Sequence, residues 1–96
     1  MNSTNVYAVT VQRFYTSLDG YHYQMADNHP LVGLYRELNV ALNVASELTG
    51  IWTGDNNSIY SIQRYPRCSD YEAAFVVLEN KTPVTAYTVR EVHILP

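Results

Sequence analysis

The sequence predicts an α+β domain: a mostly antiparallel sheet, in the order β-β-α-β-β-β, with one amphipathic helix packed on one face. Three observations lead there. Residues 5–17 run through β-branched and aromatic types without Gly or Pro and end at Asp19-Gly20, a pair that supplies the positive φ angles of a two-residue hairpin. Residues 30–49 place Leu31, Leu34, Leu38, Ala41, Ala45 and Leu48 at three- and four-residue spacings, one apolar stripe of a helix. From Ser58 onward, strand-like segments alternate with polar turns.

The first strand returns through Tyr21 to Met25. Pairing across Asp19-Gly20 puts Phe14, Thr16 and Leu18 on one face with Tyr21, Tyr23 and Met25, whereas Tyr7, Val9 and Val11 point the other way. Either a bulge near Gln12-Arg13 flips the strand or both its faces are partly covered, and either way the hairpin end should project beyond the core with an aromatic surface. Asp27-Asn28-His29-Pro30 reads as a helix entry and Gly50 as a left-handed helix cap. Tyr35 and Leu42 flank the helix stripe, and Arg36, Asn39, Asn43, Ser46 and Glu47 decorate the other side. Ile51-Trp52-Thr53 reads as a short strand or an anchored loop before the polar turn Gly54-Asp55-Asn56-Asn57. A strand follows from Ser58 to Tyr65 and stops at Pro66. Residues 70–79 carry two signals, a capping box at Ser69-Asp70-Tyr71-Glu72 and the buried-strand run Phe75-Val76-Val77-Leu78. The turn Asn80-Lys81-Thr82-Pro83 leads straight into a strand from Val84 to Leu95, so a hairpin is the simplest connection and strand is preferred. The sheet face away from the helix should be half exposed and carry many of the tyrosines.

A chain of 96 residues, 47% hydrophobic and 16% charged, is one compact domain spanning 1–96 and excludes a disordered tail, a collagen-like fibre and a disulfide-stapled miniprotein. The formal charge of −3 disfavours both a basic nucleic-acid binder and a strongly acidic DNA mimic. Cys68 is the only cysteine, so no internal disulfide calls for an oxidising compartment. The polar start Met1-Asn2-Ser3-Thr4 lacks a signal-peptide pattern and no apolar run approaches the roughly 20 residues of a membrane span, so a cytoplasmic location is expected. The N-x-S/T patterns at Asn2, Asn56 and Asn80 then read as coincidental. Nine tyrosines, and one lysine against five arginines, fit the composition of interfaces, and tyrosines on half-buried sheet faces of a small β-rich domain are the plainer alternative.

No catalytic or metal motif stands out. His22, His29 and His93 share no ligand spacing with one another or with Cys68. Cys68 lies near Arg64 and Arg67, which would lower its pKa, but no oxyanion loop or helix entry follows it. The carboxylates Asp70 and Glu72, or Glu79 and Glu91, read as solvated strand or cap residues. Gly50 and Gly54 form no phosphate loop. No cofactor and no metal is expected. The stretch Tyr60-Ser61-Ile62-Gln63-Arg64-Tyr65-Pro66-Arg67, with Tyr71 close by, is the densest cluster of Tyr and Arg. It could present bidentate arginines to an acidic protein surface or stack on nucleic-acid bases, and paired surface charges are the plainer alternative.

These features point to a non-catalytic protein–protein interaction module. Its expected binding residues are Tyr21, Tyr23, Tyr60, Arg64, Tyr65, Arg67 and Tyr71, acting by steric blocking of a partner or by adding an edge strand to a partner's sheet. In size and architecture the whole chain resembles the small inhibitors of phages and mobile elements, such as anti-CRISPR proteins, which are also short, single-domain, cofactor-free and often acidic. No residue pattern carries that likeness, so no functional residue is transferred. The alternatives are a self-assembling structural or subunit protein such as a homodimer, and a single-stranded nucleic-acid binder using Arg64, Tyr65 and Arg67. An enzyme is disfavoured by the lack of a catalytic constellation.

Overall fold

The structure, a computed structural model, describes residues 4–16, 23–25, 30–53, 59–67 and 71–94. They form β1 (Thr4–Thr16), β2 (Tyr23–Met25), β3 (Leu31–Tyr35), α1 (Leu38–Thr53), β4 (Tyr60–Tyr65), β5 (Ala73–Glu79) and β6 (Thr82–Ile94). Every strand pairing is antiparallel. The sheet runs β2-β1-β6-β5-β4, and β3 also pairs with β1, on the edge that β6 leaves open. The architecture is α+β as expected, with one strand more than the sequence pattern indicates.

That extra strand corrects the start of the helix. Leu31 and Leu34 fit a helical stripe, but they belong to β3, where Tyr7 pairs with Tyr35 and Ala8 with Leu34. Two features favour extension here. The pairing satisfies backbone groups along β1, and the Val11 amide donates to the Pro30 carbonyl at 3.1 Å. Gly33 costs a helix up to about 1 kcal/mol, whereas in β3 its missing side chain makes room for Tyr35, whose hydroxyl lies 2.7 Å from where a Cβ would stand. The helix begins at Leu38, its first bond running from the Ala41 amide to the Glu37 carbonyl at 3.2 Å. Its end differs too. Gly50 is not in the left-handed region and does not cap the helix, which continues through Ile51 and Trp52 to Thr53.

β1 pairs with β6 in unbroken register from Thr4↔Ile94 to Arg13↔Thr85, so there is no bulge at Gln12-Arg13. Instead both faces of β1 are covered: Val9 is buried on one side, and Val6, Ala8 and Gln12 on the other. The irregularity in β1 pairing lies on the β3 side, between Val9 and Thr10. Phe14↔Met25 and Thr16↔Tyr23 keep the register that a two-residue turn at Asp19-Gly20 requires, although that turn lies outside the described residues. Past Arg13, β2 is the neighbour of β1 in the register. Residues 73–79 are a strand, buried on both faces over Ala73 to Val77. Asn80 (φ 50°) and Lys81 (φ 72°) then make a turn of the primed type between Glu79 and Thr82.

The core lies between the sheet and α1. Ala41 and Ala45, both fully buried, seat the helix against Val9, Ala73, Phe75, Val77, Tyr87 and Val89. Small helix residues leave room for large sheet residues, and this is where the tyrosines go. Tyr7, Tyr35, Tyr60 and Tyr87 all pack into this cluster, whereas the sequence pattern expects many of the tyrosines on the helix-free face. Two of the hydroxyls are hydrogen-bonded within the fold: Trp52 Nε1 donates to Tyr87 Oη at 2.9 Å, and Tyr60 Oη donates to Glu79 Oε2 at 2.6 Å. The centre of the helix-free face is not half exposed either. Ala8, Ala74, Ala86 and Thr88 are small enough to sit below their larger neighbours, and Thr88 is hydrogen-bonded to Thr10 through their hydroxyls. No helix among the described residues is long and apolar enough to cross a membrane.

Candidate binding surface at the β4 edge

β4 is the terminal strand of the sheet, and among the described residues no strand pairs with its outer edge. Strand geometry sends alternate side chains to opposite faces. Tyr60, Ile62 and Arg64 lie opposite Glu79, Val77 and Phe75 and therefore face the helix layer. Ser61, Gln63 and Tyr65 lie opposite Leu78, Val76 and Ala74, on the helix-free side. The Tyr–Arg cluster seen in the sequence is thus split across two faces.

On the helix side, the Arg64 guanidinium carbon lies 5.4 Å from the centre of the Phe75 ring. It borders an open groove of about 420 Å³ whose other walls are Asn39, Asn43, Ser46 and Leu42. Asn39, Asn43 and Ser46 recur at helical spacing along one flank of α1, so a single polar strip faces β4. No carboxylate among the described residues lies within ion-pair distance of Arg64. Glu79 accepts the Tyr60 hydroxyl and Glu72 pairs with Arg67 at 3.5 Å.

On the opposite side, Tyr65, 38% exposed, and Tyr71 wall an apolar cleft of about 240 Å³ with Phe14 and Pro83, floored by Ala74 and Val76. A further open depression of about 390 Å³ at the other end of β4 is lined by Ile59, Ser61, Asn80 and Lys81. One edge strand therefore carries a polar, cationic groove on one face and an aromatic, apolar cleft on the other.

Of the residues expected to bind, the structure brings Arg64, Tyr65 and Tyr71 to this end of the sheet. Tyr60 is half-buried, with its ring at 5.7 Å and 64° to Trp52 in an edge-on contact, so it belongs to the core rather than to the surface. Arg67 is exposed and paired with Glu72. Tyr23 is placed by its backbone opposite Thr16, at the far side of the sheet from β4. Tyr21, His22, His29 and Cys68 lie outside the described residues. His93 sits beside Glu91, with Nε2 3.8 Å from Oε1, and the described residues hold no group of three metal-ligating side chains. Sequence inspection missed Asn39, Asn43 and Ser46 as walls of the groove beside Arg64, and Phe14 and Pro83 as walls of the cleft. The helix strip had a readable signal in its spacing, but which strand it would face depends on how the helix lies across the sheet. No known protein family, curated protein or solved structure matches this chain.

Proposed function

We propose that the chain is a non-catalytic protein-interaction module whose working surface is the outer edge of β4 with the side chains on its two faces. The observation that carries this is that no described strand pairs with the outer edge of β4, which Arg64 flanks on one side and Tyr65 on the other. An open strand edge offers a row of backbone donors and acceptors to an added strand, and proteins usually blunt such edges. Tyr and Arg are the side-chain types that most often anchor interfaces. Occupying a partner's surface in this way is how a small inhibitor of the anti-CRISPR kind would act, by blocking rather than by chemistry.

The test is site-specific photo-crosslinking in lysate of the source organism. A crosslinker at Gln63, exposed on β4, should capture a distinct protein that one at Glu47, exposed on α1, does not. Equal capture at both positions, or none at Gln63, refutes the proposal. A second reading, self-association, is favoured by one separate observation. Leu31, Val32 and Leu34 of the edge strand β3 and Val40 of α1 are exposed apolar residues at the opposite side of the sheet. Crosslinks between copies confined to β3 would favour that reading.

A further inference from the structure

The two faces of β4 differ enough in chemistry to specify what sort of segment fits its edge. A strand added beside β4 runs about 4.8 Å away, and its side chains alternate between the same two faces. Those set opposite Ile62 and Arg64 enter the helix-side groove; those opposite Gln63 and Tyr65 lie on the aromatic side. Among the described residues that line the groove, the one charged group is the guanidinium of Arg64, in cation–π contact with Phe75, with the polar side chains of Asn39, Asn43 and Ser46 opposite. The cation–π contact with Phe75 restrains the guanidinium, which lowers the ordering cost of its contact to a carboxylate. On the other face, the ring of Tyr65 and the mouth of the cleft between Tyr65 and Tyr71 offer apolar contact.

We infer that the partner of β4 is an extended peptide segment in which acidic and bulky apolar side chains alternate: an acid on Arg64 and an apolar residue against Tyr65. This rests on the proposal that the β4 edge is the docking site and adds the chemistry of what docks. The formal charge of −3 does not oppose it strongly. Separated surface charges are screened beyond about 8–10 Å at physiological salt, whereas an acid on Arg64 pairs at hydrogen-bond range.

The experiment is an amide-shift NMR titration of the full chain with short capped synthetic peptides: one alternating Glu and Leu, one alternating Lys and Leu, and one alternating Glu and Ser. The Glu–Leu peptide should shift the amides of residues 60–65 and bind about tenfold more tightly than either control. Arg64→Gln should abolish the preference for Glu–Leu over Lys–Leu while keeping the preference over Glu–Ser, and Tyr65→Ser should do the reverse. Both side chains are exposed, and unchanged shifts in β1 and β6 show that each variant is folded. Equal binding of Lys–Leu at the same amides overturns the acidic–apolar assignment while leaving the β4 edge as a docking site. Failure of the Glu–Leu peptide to shift residues 60–65 also overturns the assignment, and the edge itself is then decided separately by the Gln63 crosslink.

Discussion

Replacing Gly50 with alanine gives opposite signs for the two ways a helix can treat a glycine near its end. In the structure Gly50 lies inside α1, exposed, outside the left-handed region, and an added Cβ meets no atom within 4 Å. Nothing then offsets the gain in helix propensity, and Gly50→Ala should stabilise the protein by about 0.5–1 kcal/mol. For a domain of this size that corresponds to a rise in melting temperature of roughly 2–8 °C. In urea the midpoint should move up with the slope unchanged, because the substitution does not alter the surface exposed on unfolding. Were Gly50 a left-handed cap, alanine would cost about 1 kcal/mol or more and the midpoint would fall. A fall refutes the continuation of α1 to Thr53, and with it the placement of Trp52.

Four further outcomes follow from the same packing. Tyr87→Phe should cost about 1–2 kcal/mol by leaving the Trp52 indole N–H without its acceptor, and pairing it with Trp52→Phe should cost less than the sum of the two single changes, as read by a double-mutant cycle in urea. Lys81→Gly should raise stability by about 1 kcal/mol, since Lys81 holds φ 72° in a turn that favours Gly there, and thermal melting reads the shift. Gly33→Ala should destabilise by about 1–3 kcal/mol, because the new Cβ collides with the Tyr35 ring, and Tyr35→Ala in the same chain should make the alanine tolerable. If β3 mediates self-association, Leu34→Lys should shift the mass measured by light scattering from dimer to monomer without changing the melting temperature of the monomer, since Leu34 is 53% exposed.

The strands from β4 to β6 were legible because their signals are local. Asn80-Lys81 sits between two apolar runs, and Phe75-Val76-Val77-Leu78 has the continuous hydrophobicity of a strand covered on both sides. The register of β1 with β2 was also legible, since it is the one that a two-residue turn at Asp19-Gly20 predicts. The helix start was not. Leu31, Leu34 and Leu38 satisfy a helical spacing, and in β3 only the irregularity opposite Val9 and Thr10 brings Leu31 and Leu34 to one face; the real first turn announces itself poorly because Glu37, rather than Ser, Thr, Asp or Asn, holds the cap position. Only the tertiary pairing of β3 with β1 decides between them. The candidate site was half legible for a similar reason. Tyr60 and Tyr65 stand an odd number of residues apart, so strand alternation places them on opposite faces. Which of those faces receives α1 is settled by Ala41 and Ala45 packing on Val9, Phe75 and Val77, a long-range fact absent from the local sequence.

Hydrogen exchange at the amides of residues 60–65, compared between the free chain and the chain bound to its captured partner, tests the β4 edge most directly. A strand added to this edge should slow exchange at alternate positions of β4, those whose N–H groups point away from β5, and leave residues 31–35 unchanged. Unaltered exchange along β4, with protection appearing at residues 31–35 instead, would contradict it and place the interface on the far side of the sheet.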